Sequence, residues 1–357
     1  MKKLPLHNFY LEKGAEFVES GGCTVPKHFD SIDNEYQAAR DAVAVYDLSA
    51  RGKIRLEGKE CFKFMQGMLS NDVMKLESGK GVHATLLTVK GKMLADLYIY
   101  KDGEQALIDL EQGLNVPISE LLLKYRLSYK AKIEDLTDKY VQLCFFGAKS
   151  QQYLSRLLDL DLSDLDEPGL IKKSIDDIEI IIVKVKRSSN ESFDVYIPTG
   201  ETNWVIQFFF GQIDGLTPKP IGLDTFEILR VQAGIAKYGV DMDENTIPIE
   251  AELWDALSFE KGCYIGQEVI ARIKWRGHVN RHLVGIEMQT NTPAHPGDKI
   301  FVNDKEVGYV TSSVYCYEKT KAICMAYIKR EFKEPGTAVI VSINDENIDG
   351  KVFSFNN

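Results

Sequence analysis

The sequence predicts an α+β protein that ends in a separate all-β barrel or sandwich. Two observations favour this class. The order strand, helix, strand, strand is predicted early in the chain and returns in its middle part. From about Arg281 to the end, short alternating segments separated by Pro-Gly and Asn-Asp turns show no helical period. A chain of 357 residues, 44% of them hydrophobic, is long enough for roughly two or three packed domains.

The predicted elements of the first half follow from apolar periodicity. Apolar residues at helical spacing indicate helices, alternating segments indicate strands, and Lys90-Gly91-Lys92 is typical of a hairpin turn. These patterns predict a helix over Asn34–Ala44, a strand over Lys53–Glu57, a short helix around Phe62–Leu69, strands over Ala84–Val89, Met93–Tyr100 and Gln105–Leu110, and a helix around Ile118–Tyr125.

The same order returns in the middle of the chain. The predicted elements are a strand over Val141–Phe146, a helix over Lys149–Leu158, and strands over Ile178–Val185 and Phe193–Ile197. The aromatic segment Thr202–Phe210 fits a helix or a strand. The acidic segment Asp159–Gly169 is typical of a solvated connection. Asp224-Thr-Phe-Glu227 resembles a capping box and predicts that a helix begins there.

The C-terminal segments predict a single all-β unit. Their alternation suits strands with one buried face. The predicted strands are Leu283–Met288, Lys299–Val302, Val307–Thr311, Ala322–Ile328, Ala338–Ile343 and Gly350–Phe353.

The charge and the cysteine pattern exclude several classes of protein. A formal net charge of −10 disfavours a nucleic-acid partner, because an acidic surface repels phosphate. The cysteines include no Cys-x-x-Cys pair and the histidines no His-Glu-x-x-His, so no metal site is predicted. No secretory signal or membrane-spanning run is recognised. We therefore expect a reduced, cytoplasmic monomer or weak oligomer that does not enter a membrane.

The segment Phe259–Glu268 is the densest cluster of reactive residue types. Gly262 and Gly266 bracket Cys263, which favours a sharply bent loop. Lys261 lies two positions before the cysteine, where an ammonium group lowers the pKa of a thiol if the two side chains converge. A reactive thiol on a tight loop is one interpretation. The alternative is a small buried cysteine in a glycine turn.

Asp96 is the second candidate. It shares one face of its predicted strand with Leu94, Tyr98 and Tyr100. A carboxylate among aromatic residues loses hydration, so it needs a donor or a proton, and it suits binding of an amine or proton transfer. The alternative is an edge-strand aspartate paired with a lysine such as Lys92.

A cluster of basic residues is the third candidate. No acidic residue lies between Ala271 and Gly285, so this segment is positively charged although the whole chain is negatively charged. Such a cluster binds carboxylates or phosphate, or else forms a solvated face. Its members are Arg272, Lys274, Arg276, His278, Arg281 and His282.

Four segments in order resemble one family. Lys261-Gly-Cys-Tyr-Ile-Gly-Gln-Glu268, followed by Val269-Ile-Ala-Arg272, resembles the signature of the YgfZ-type folate-binding proteins, relatives of the glycine-cleavage T-protein (aminomethyltransferase). The other three segments are Leu48-Ser-Ala-Arg-Gly-Lys-Ile54, Phe64-Met-Gln-Gly-Met-Leu-Ser-Asn-Asp-Val73 and Gly234-Ile-Ala-Lys-Tyr-Gly-Val-Asp-Met-Asp-Glu-Asn-Thr-Ile-Pro248.

The resemblance implies a fold of three parts. Residues 1–280 would form two related α+β subdomains, at about 45–135 and 136–250, around a central folate cavity. Residues 281–357 would form the C-terminal β-barrel. The ligand in the cavity would be tetrahydrofolate or a one-carbon derivative of it.

The resemblance also implies roles for individual residues. Asp96 takes the place of the second aspartate of the T-protein strand motif, while Ala95 replaces the first. Catalytic roles are expected for Cys263, Asp96 and Lys261, and folate contacts for Asp96, Asn71, Phe259, Arg230 and Tyr98. The remaining signature residues are Gly262, Tyr264, Gly266, Gln267, Glu268 and Arg272.

Three departures from the T-protein shape the functional expectation. Phe226 and Gln232 replace an arginine and a glutamate of its helix, and Arg187-Ser-Ser-Asn-Glu191 replaces its Gly-Tyr-Thr-Gly-Glu segment. With the Cys263 signature, they favour the YgfZ type, a folate-dependent accessory factor that assists iron–sulfur cluster assembly or repair in client proteins. The alternatives are an aminomethyltransferase that acts on tetrahydrofolate, and a non-catalytic binding protein.

Overall fold

The computed structural model describes residues 1–355. It divides into two compact units. Unit 1 comprises Met1–Gly67, Asp72–Ala84 and Leu97–Phe226, and unit 2 comprises Met68–Asn71, Thr85–Asp96 and Glu227–Asn357.

The elements before residue 136 build two of the sheets. In chain order they are β1 (Lys2–Lys3), α1 (His7–Glu12), β2 (Glu16–Ser20), β3 (Cys23–His28), α2 (Ile32–Asp41), β4 (Ala44–Asp47), β5 (Gly52–Glu57), α3 (Cys61–Met68), β6 (Gly81–Leu87), β7 (Met93–Asp102), β8 (Gln105–Leu110), α4 (Asn115–Arg126) and β9 (Lys132–Asp135). A small sheet has the order β1-β3-β2, and a five-stranded sheet has the order β6-β7-β8-β5-β9. Strand β7, which carries Asp96, is the second strand of this sheet and lies between β6 and β8.

The elements from residue 140 to residue 276 add a six-stranded sheet and four helices. They are β10 (Tyr140–Phe146), α5 (Ser150–Leu158), β11 (Gly169–Ile175), β12 (Ile178–Lys184), β13 (Ser192–Pro198), α6 (Thr202–Phe209), β14 (Lys219–Pro220), α7 (Leu223–Gln232) and α8 (Gln267–Arg276). The sheet has the order β11-β12-β13-β10-β4-β14. Its apolar side chains, such as Phe145, Ile180 and Val195, pack with α5 and α6 into the main core of unit 1.

The last six strands form a closed barrel. They are β15 (Arg281–Met288), β16 (Lys299–Val302), β17 (Lys305–Cys316), β18 (Lys321–Lys329), β19 (Ala338–Ile343) and β20 (Glu346–Phe353), in the spatial order β15-β18-β17-β16-β19-β20. Closure pairs both edges of the sheet, so no edge is left open. Alternate residues such as Ile286, Cys324 and Val341 fill the interior.

The predicted fold class is confirmed: the structure contains both helices and sheets and ends in a closed six-stranded barrel. The main differences lie in weakly periodic segments. The small N-terminal sheet, β4 and β11 were not predicted. Thr202–Phe210, which fitted either class, is helical because Val205 and Phe209 face the core. The connection 159–169 is not wholly solvated, since Leu162 is buried.

None of the helices within residues 1–355 combines the length and the apolar character needed to span a membrane.

Candidate functional site

Asp96 lies on the accessible side of strand β7. Side chains alternate along the strand, so Met93 and Ala95 are buried while Leu94 and Asp96 are partly exposed. Ala95 has no exposed surface. The two positions that correspond to the paired aspartates of the T-protein motif therefore face opposite sides of the sheet.

Hydrogen bonds within unit 2 join the turn Leu69–Asn71 to the segment that precedes Cys263. The Ser70 hydroxyl donates to the Ala256 carbonyl at 2.6 Å, and the Asn71 amide donates to the Asp255 carbonyl at 2.8 Å. The backbone N–H of Ser258 donates to the Ser70 carbonyl at 3.0 Å. These bonds hold Asn71, a predicted folate contact, in a fixed place.

Lys261 adds two further hydrogen bonds to this turn. Its ammonium group donates to the carbonyls of Leu69 at 2.7 Å and Asn71 at 2.6 Å, and it lies 5.1 Å from the centre of the Tyr264 ring. The side chain is buried. Burial also raises the pKa of Tyr264 to about 12, so its hydroxyl stays protonated near neutrality. Both residues thus position the loop that carries Cys263.

Cys263 differs from the other cysteines in its exposure. All six lie within the described residues, where Cys263 is exposed and the other five are buried. Burial raises the pKa of Cys61 to about 11 and that of Cys144 well above its ordinary value, which makes these thiols poor nucleophiles. The alternative of a buried Cys263 is therefore excluded.

Only one of the two bracketing glycines is required by the backbone. Gly266 has φ of +87°, and a Cβ there would lie 2.6 Å from the Thr88 carbonyl oxygen. A Cβ on Gly262 would meet nothing within 4 Å. Gly266 ends the loop as the N-cap residue of α8, and Gln267 and Glu268 form the first turn of that helix.

Phe259 packs beside a cation–π arrangement. The Lys274 ammonium lies 4.8 Å from the centre of the Trp254 ring and 5.3 Å from that of Phe259. Of the predicted basic cluster, Arg272, Lys274, Arg276 and His278 are exposed. Arg281 and His282 instead bind carboxylates of unit 2, at Glu250 and Glu252.

Arg230, a predicted folate contact, is surrounded by groups of unit 2. Its guanidinium group donates to Asp241 and to the Ser312 hydroxyl at 2.7 and 2.8 Å, to the Ile235 carbonyl at 3.1 Å, and to Glu227. Only 3% of the side chain is exposed. The structure therefore places Arg230 in a buried ion network that joins α7 to the barrel strand β17.

Tyr98, the remaining predicted folate contact, belongs to unit 1. Its ring stacks on His83 with centroids 4.8 Å apart, and the Arg187 guanidinium lies 5.7 Å from its centre. Arg187 also binds Asp109 and Asp194 in a buried cluster that includes Arg51.

This buried cluster was missed by sequence reasoning. Burial would raise the pKa of Asp109, but Arg51 and Arg187 outweigh it and hold that pKa below its usual value. Lys53, also in unit 1, has no exposed surface, and burial lowers its pKa to about 7. The alternation of charged and apolar residues along β5 is typical of a half-buried strand, and it does not reveal that Lys53 is covered.

Three atoms around the cluster have no hydrogen-bond partner within residues 1–355: the Tyr100 hydroxyl, Gln142 Oε1 and Asp194 Oδ1. Buried polar atoms of this kind need water or a ligand. Within the same residues, no group of three His, Cys, Asp or Glu side chains could hold a metal ion.

Comparisons with known proteins cover nearly the whole chain. The model of the GCVT N-terminal domain matches residues 6–261, and that of the glycine cleavage T-protein C-terminal barrel domain matches residues 281–355. Two curated relatives are named Aminomethyltransferase. The one from Caldanaerobacter subterraneus is 29% identical over 100% of this chain and 96% of its own length, and the one from Staphylococcus carnosus is 28% identical over 100% and 98%.

A solved structure agrees with the fold. The glycine cleavage system aminomethyltransferase T from Bartonella henselae superposes with a TM-score of 0.91 at 23% identity, over 99% of this chain and 97% of that one.

These findings correct the functional expectation. The predicted accessory function in iron–sulfur cluster assembly is wrong, because the full-length relatives are named for aminomethyl transfer. Iron–sulfur client proteins are likewise unsupported as partners. The matches to both domain models show that this chain belongs to the glycine cleavage T-protein (GCVT) family.

Proposed function

We propose that the protein is a glycine-cleavage-type aminomethyltransferase that passes a one-carbon unit to tetrahydrofolate. The observation that supports this best is the placement of Asp96 on the partly exposed face of β7. The names of relatives that align over their whole length point to the same activity.

The loss of the first motif aspartate does not weigh against this function. Ala95 lies on the fully buried face of the strand, away from the face of Asp96. A carboxylate at position 95 would be surrounded by apolar core, where burial of a charge is costly. The substitution therefore removes no charged group from the face on which the chemistry is proposed.

The two helix departures have packing explanations in this chain. Phe226 stacks on Tyr46 with ring centroids 4.2 Å apart and an interplanar angle of 12°. Gln232 donates a hydrogen bond to Cys316 Sγ at 3.1 Å. Each side chain therefore makes a contact within its own unit. Neither substitution by itself implies a different reaction.

The side chains of unit 2 suit a ligand that carries N–H groups and a flat ring. The carboxyl oxygens of Asp96 can accept hydrogen bonds, and Phe259 offers an aromatic surface. When bound, tetrahydrofolate supplies the nitrogens that take up the one-carbon unit. We propose that the Asp96 carboxyl group accepts a hydrogen bond from an N–H of the reacting amine. A carboxylate oxygen of Asp96 can also take up a proton during the reaction.

The remaining site predictions are part of the proposal. We propose that Asn71 contacts folate. Arg230 instead belongs to the buried ion network and is not proposed as a folate contact. Tyr98 lies in unit 1, and its folate contact stays a prediction from the resemblance. Lys261 is a positioning residue, since its ammonium group binds the Leu69–Asn71 turn.

The Lys261–Glu268 segment resembles the YgfZ-type signature, but the names of the full-length relatives support aminomethyl transfer as the reaction. The exposed Cys263 thiol stays a candidate catalytic group, and Cys263→Ser tests it. A loss of activity as large as that of an Asp96 variant would support a catalytic role, and unchanged activity would remove it.

The proposed activity is tested with a carrier protein that bears an aminomethyl-lipoyl group. The purified protein is mixed with the loaded carrier and tetrahydrofolate, and ammonia and methylenetetrahydrofolate are measured. We expect both products in equal amounts. Saturable binding of tetrahydrofolate without product formation would contradict aminomethyl transfer, and absence of saturable binding would remove the folate assignment.

A further inference from the structure

Helix α4 has one packed face and one open face. Ile118 and Leu122 are buried and attach the helix to unit 1. Exposed side chains lie on the other side of the helix, at the i, i+4, i+7 spacing that places residues on one face. We call this open surface the α4 face. Its members are Val116, Glu120, Leu123 and Lys124 of the helix, and Leu127 directly after it.

Three members of the α4 face are apolar and largely open to water. Val116 is 56% exposed, Leu123 50% and Leu127 81%. A helix that packs on one side normally carries polar and charged residues on the other. Single exposed apolar residues are common, but these three lie in one row on one face of the same helix. Such a row is typical of a surface that another molecule covers.

The backbone at Leu127 supports this interpretation. Its φ is +45°, in the left-handed region where glycine is the least costly residue. A leucine at such a position stores strain, and its mostly exposed side chain regains little by packing within the chain. A contact outside the chain explains why an apolar side chain stands there.

The charges of the α4 face fit a second copy of the same helix. Glu120 and Lys124 lie one turn apart, and neither forms an ion pair within residues 1–355. In an antiparallel pair of helices, with a two-fold axis near position 122, Glu120 lies opposite Lys124 of the partner subunit, and this contact occurs twice. A parallel pair would instead place like charges opposite each other.

The apolar residues fit the same arrangement. An axis near position 122 places Val116 opposite Leu127 of the partner subunit at each end of the contact. The Leu123 side chains of the two copies meet near its centre. One surface therefore supplies both halves of every contact, which is the property that a two-fold interface requires.

We propose that the protein forms a homodimer in which the α4 faces of two copies pack antiparallel. Three aliphatic side chains from each copy and two ion pairs make a small interface, so we expect a micromolar Kd. A second copy is favoured over a different protein because the α4 face is complementary to itself in both charge and apolar contacts. The proposal does not depend on the reaction that the protein catalyses.

The test measures self-association of the full chain by sedimentation equilibrium, at concentrations below and above the micromolar range. We expect the parent to form dimers at the higher concentrations. Glu120→Lys and Lys124→Glu each leave two like charges on the α4 face, which would meet two like charges of the partner. Each variant alone should therefore dimerise about tenfold more weakly or worse.

An equimolar mixture of these two variants separates pairing between copies from effects within one helix. In the mixed dimer every lysine lies opposite a glutamate of the other chain, so the Kd should return to within about threefold of the parent's value. A mixture that stays monomeric would contradict antiparallel pairing of the two helices.

A matched pair of exposed leucines in unit 1 tests the apolar contacts. Leu127→Ser should raise the Kd about tenfold or more, whereas Leu11→Ser, on helix α1, should leave it within about twofold of the parent's. All variants should keep the Tm that the parent has as a monomer. A parent that stays monomeric, charge variants that dimerise as well as the parent, or equal weakening by Leu11→Ser would each overturn the proposal. Capture of a different protein by a monomeric parent would overturn it too.

Discussion

Arg230 and Asp241 form an ion pair in the interior of unit 2, with Nη1 and Oδ2 2.7 Å apart and 3% and 0% of their side chains exposed. Asp241 also accepts hydrogen bonds from the hydroxyls of Thr311 and Ser312, both at 2.6 Å. Burial alone would lower the pKa of Arg230, but Asp241 and Glu227 raise it above its ordinary value. Arg230 thus keeps its charge, and its contacts join the end of α7 to barrel strand β17.

Breaking this pair should destabilise the protein strongly. Asp241→Ala leaves the Arg230 charge buried without its main partner, and we expect a loss of about 3–5 kcal/mol in the free energy of unfolding. Urea denaturation measures it.

A double variant separates the ion pair from simple loss of packing. Arg230→Met/Asp241→Leu removes both charges, so it should be more stable than Asp241→Ala alone. If the double variant were the less stable of the two, the burial of an unpaired charge would not be the cause of the loss.

Gly266 and Gly262 should respond differently to the same substitution. Gly266→Ala adds a Cβ 2.6 Å from the Thr88 carbonyl oxygen at a positive φ, so we expect a loss of more than about 1 kcal/mol. Gly262→Ala adds a Cβ in open space and should change stability by less than about 0.5 kcal/mol. Thermal unfolding of the two variants gives the comparison, and equal losses would contradict the described loop.

Alkylation should modify one cysteine in the folded protein. Cys263 is exposed and the other five thiols are buried, so iodoacetamide should label the native chain once. Mass spectrometry of the intact protein counts the labels. Cys263→Ser should abolish native labelling, whereas full labelling should require denaturant. Fast native labelling of a second cysteine would contradict the burial described above.

Lys53 should make stability depend on pH in a definite direction. Burial lowers its pKa to about 7, whereas the unfolded chain has an ordinary lysine pKa of about 10.4. Between these two pH values the unfolded state binds more protons than the folded state, so the contribution of Lys53 to stability rises with pH. The groups that act on its charge are Asp47, Asp109, Asp194 and Arg51.

The comparison with Lys53→Met isolates this effect. Urea denaturation at intervals from pH 7 to pH 9.5 should show the parent gaining stability relative to the variant as pH rises. Other titrating groups are common to both proteins and cancel. A constant difference across this range would mean that the lysine keeps its ordinary pKa in the folded protein.

Sequence patterns located the regular elements well where one face of a strand is buried. The bounds of β16 and β19 match their predictions, because alternating apolar residues mark such strands directly. The bounds of β8 match as well, although five consecutive residues of that strand are buried. The small sheet near the N-terminus was missed because its strands are short and include Pro26. Apolar periodicity also left α6 undecided, since an aromatic run suits either class of element.

The candidate site was only partly predictable, because side-chain partners depend on the fold. Cys263 and Asp96 were recognised from their local sequence. Arg230 has a sequence position that suggests a ligand contact, but its carboxylate partner and its hydroxyl partner come from distant segments. The cluster around Arg187 and Asp109 joins residues that are 78 positions apart, which no local pattern reveals.

The central claim is that Asp96 carries the chemistry and that position 95 does not. The direct measurement is the rate of methylenetetrahydrofolate formation by the parent, Asp96→Asn and Asp102→Asn, with Asp102 as a carboxylate on the same strand. We predict a loss of about 10²-fold or more in kcat for Asp96→Asn, with the fold retained, and a rate within about twofold of the parent for Asp102→Asn. An Asp96→Asn protein that is folded and as active as the parent would contradict the account.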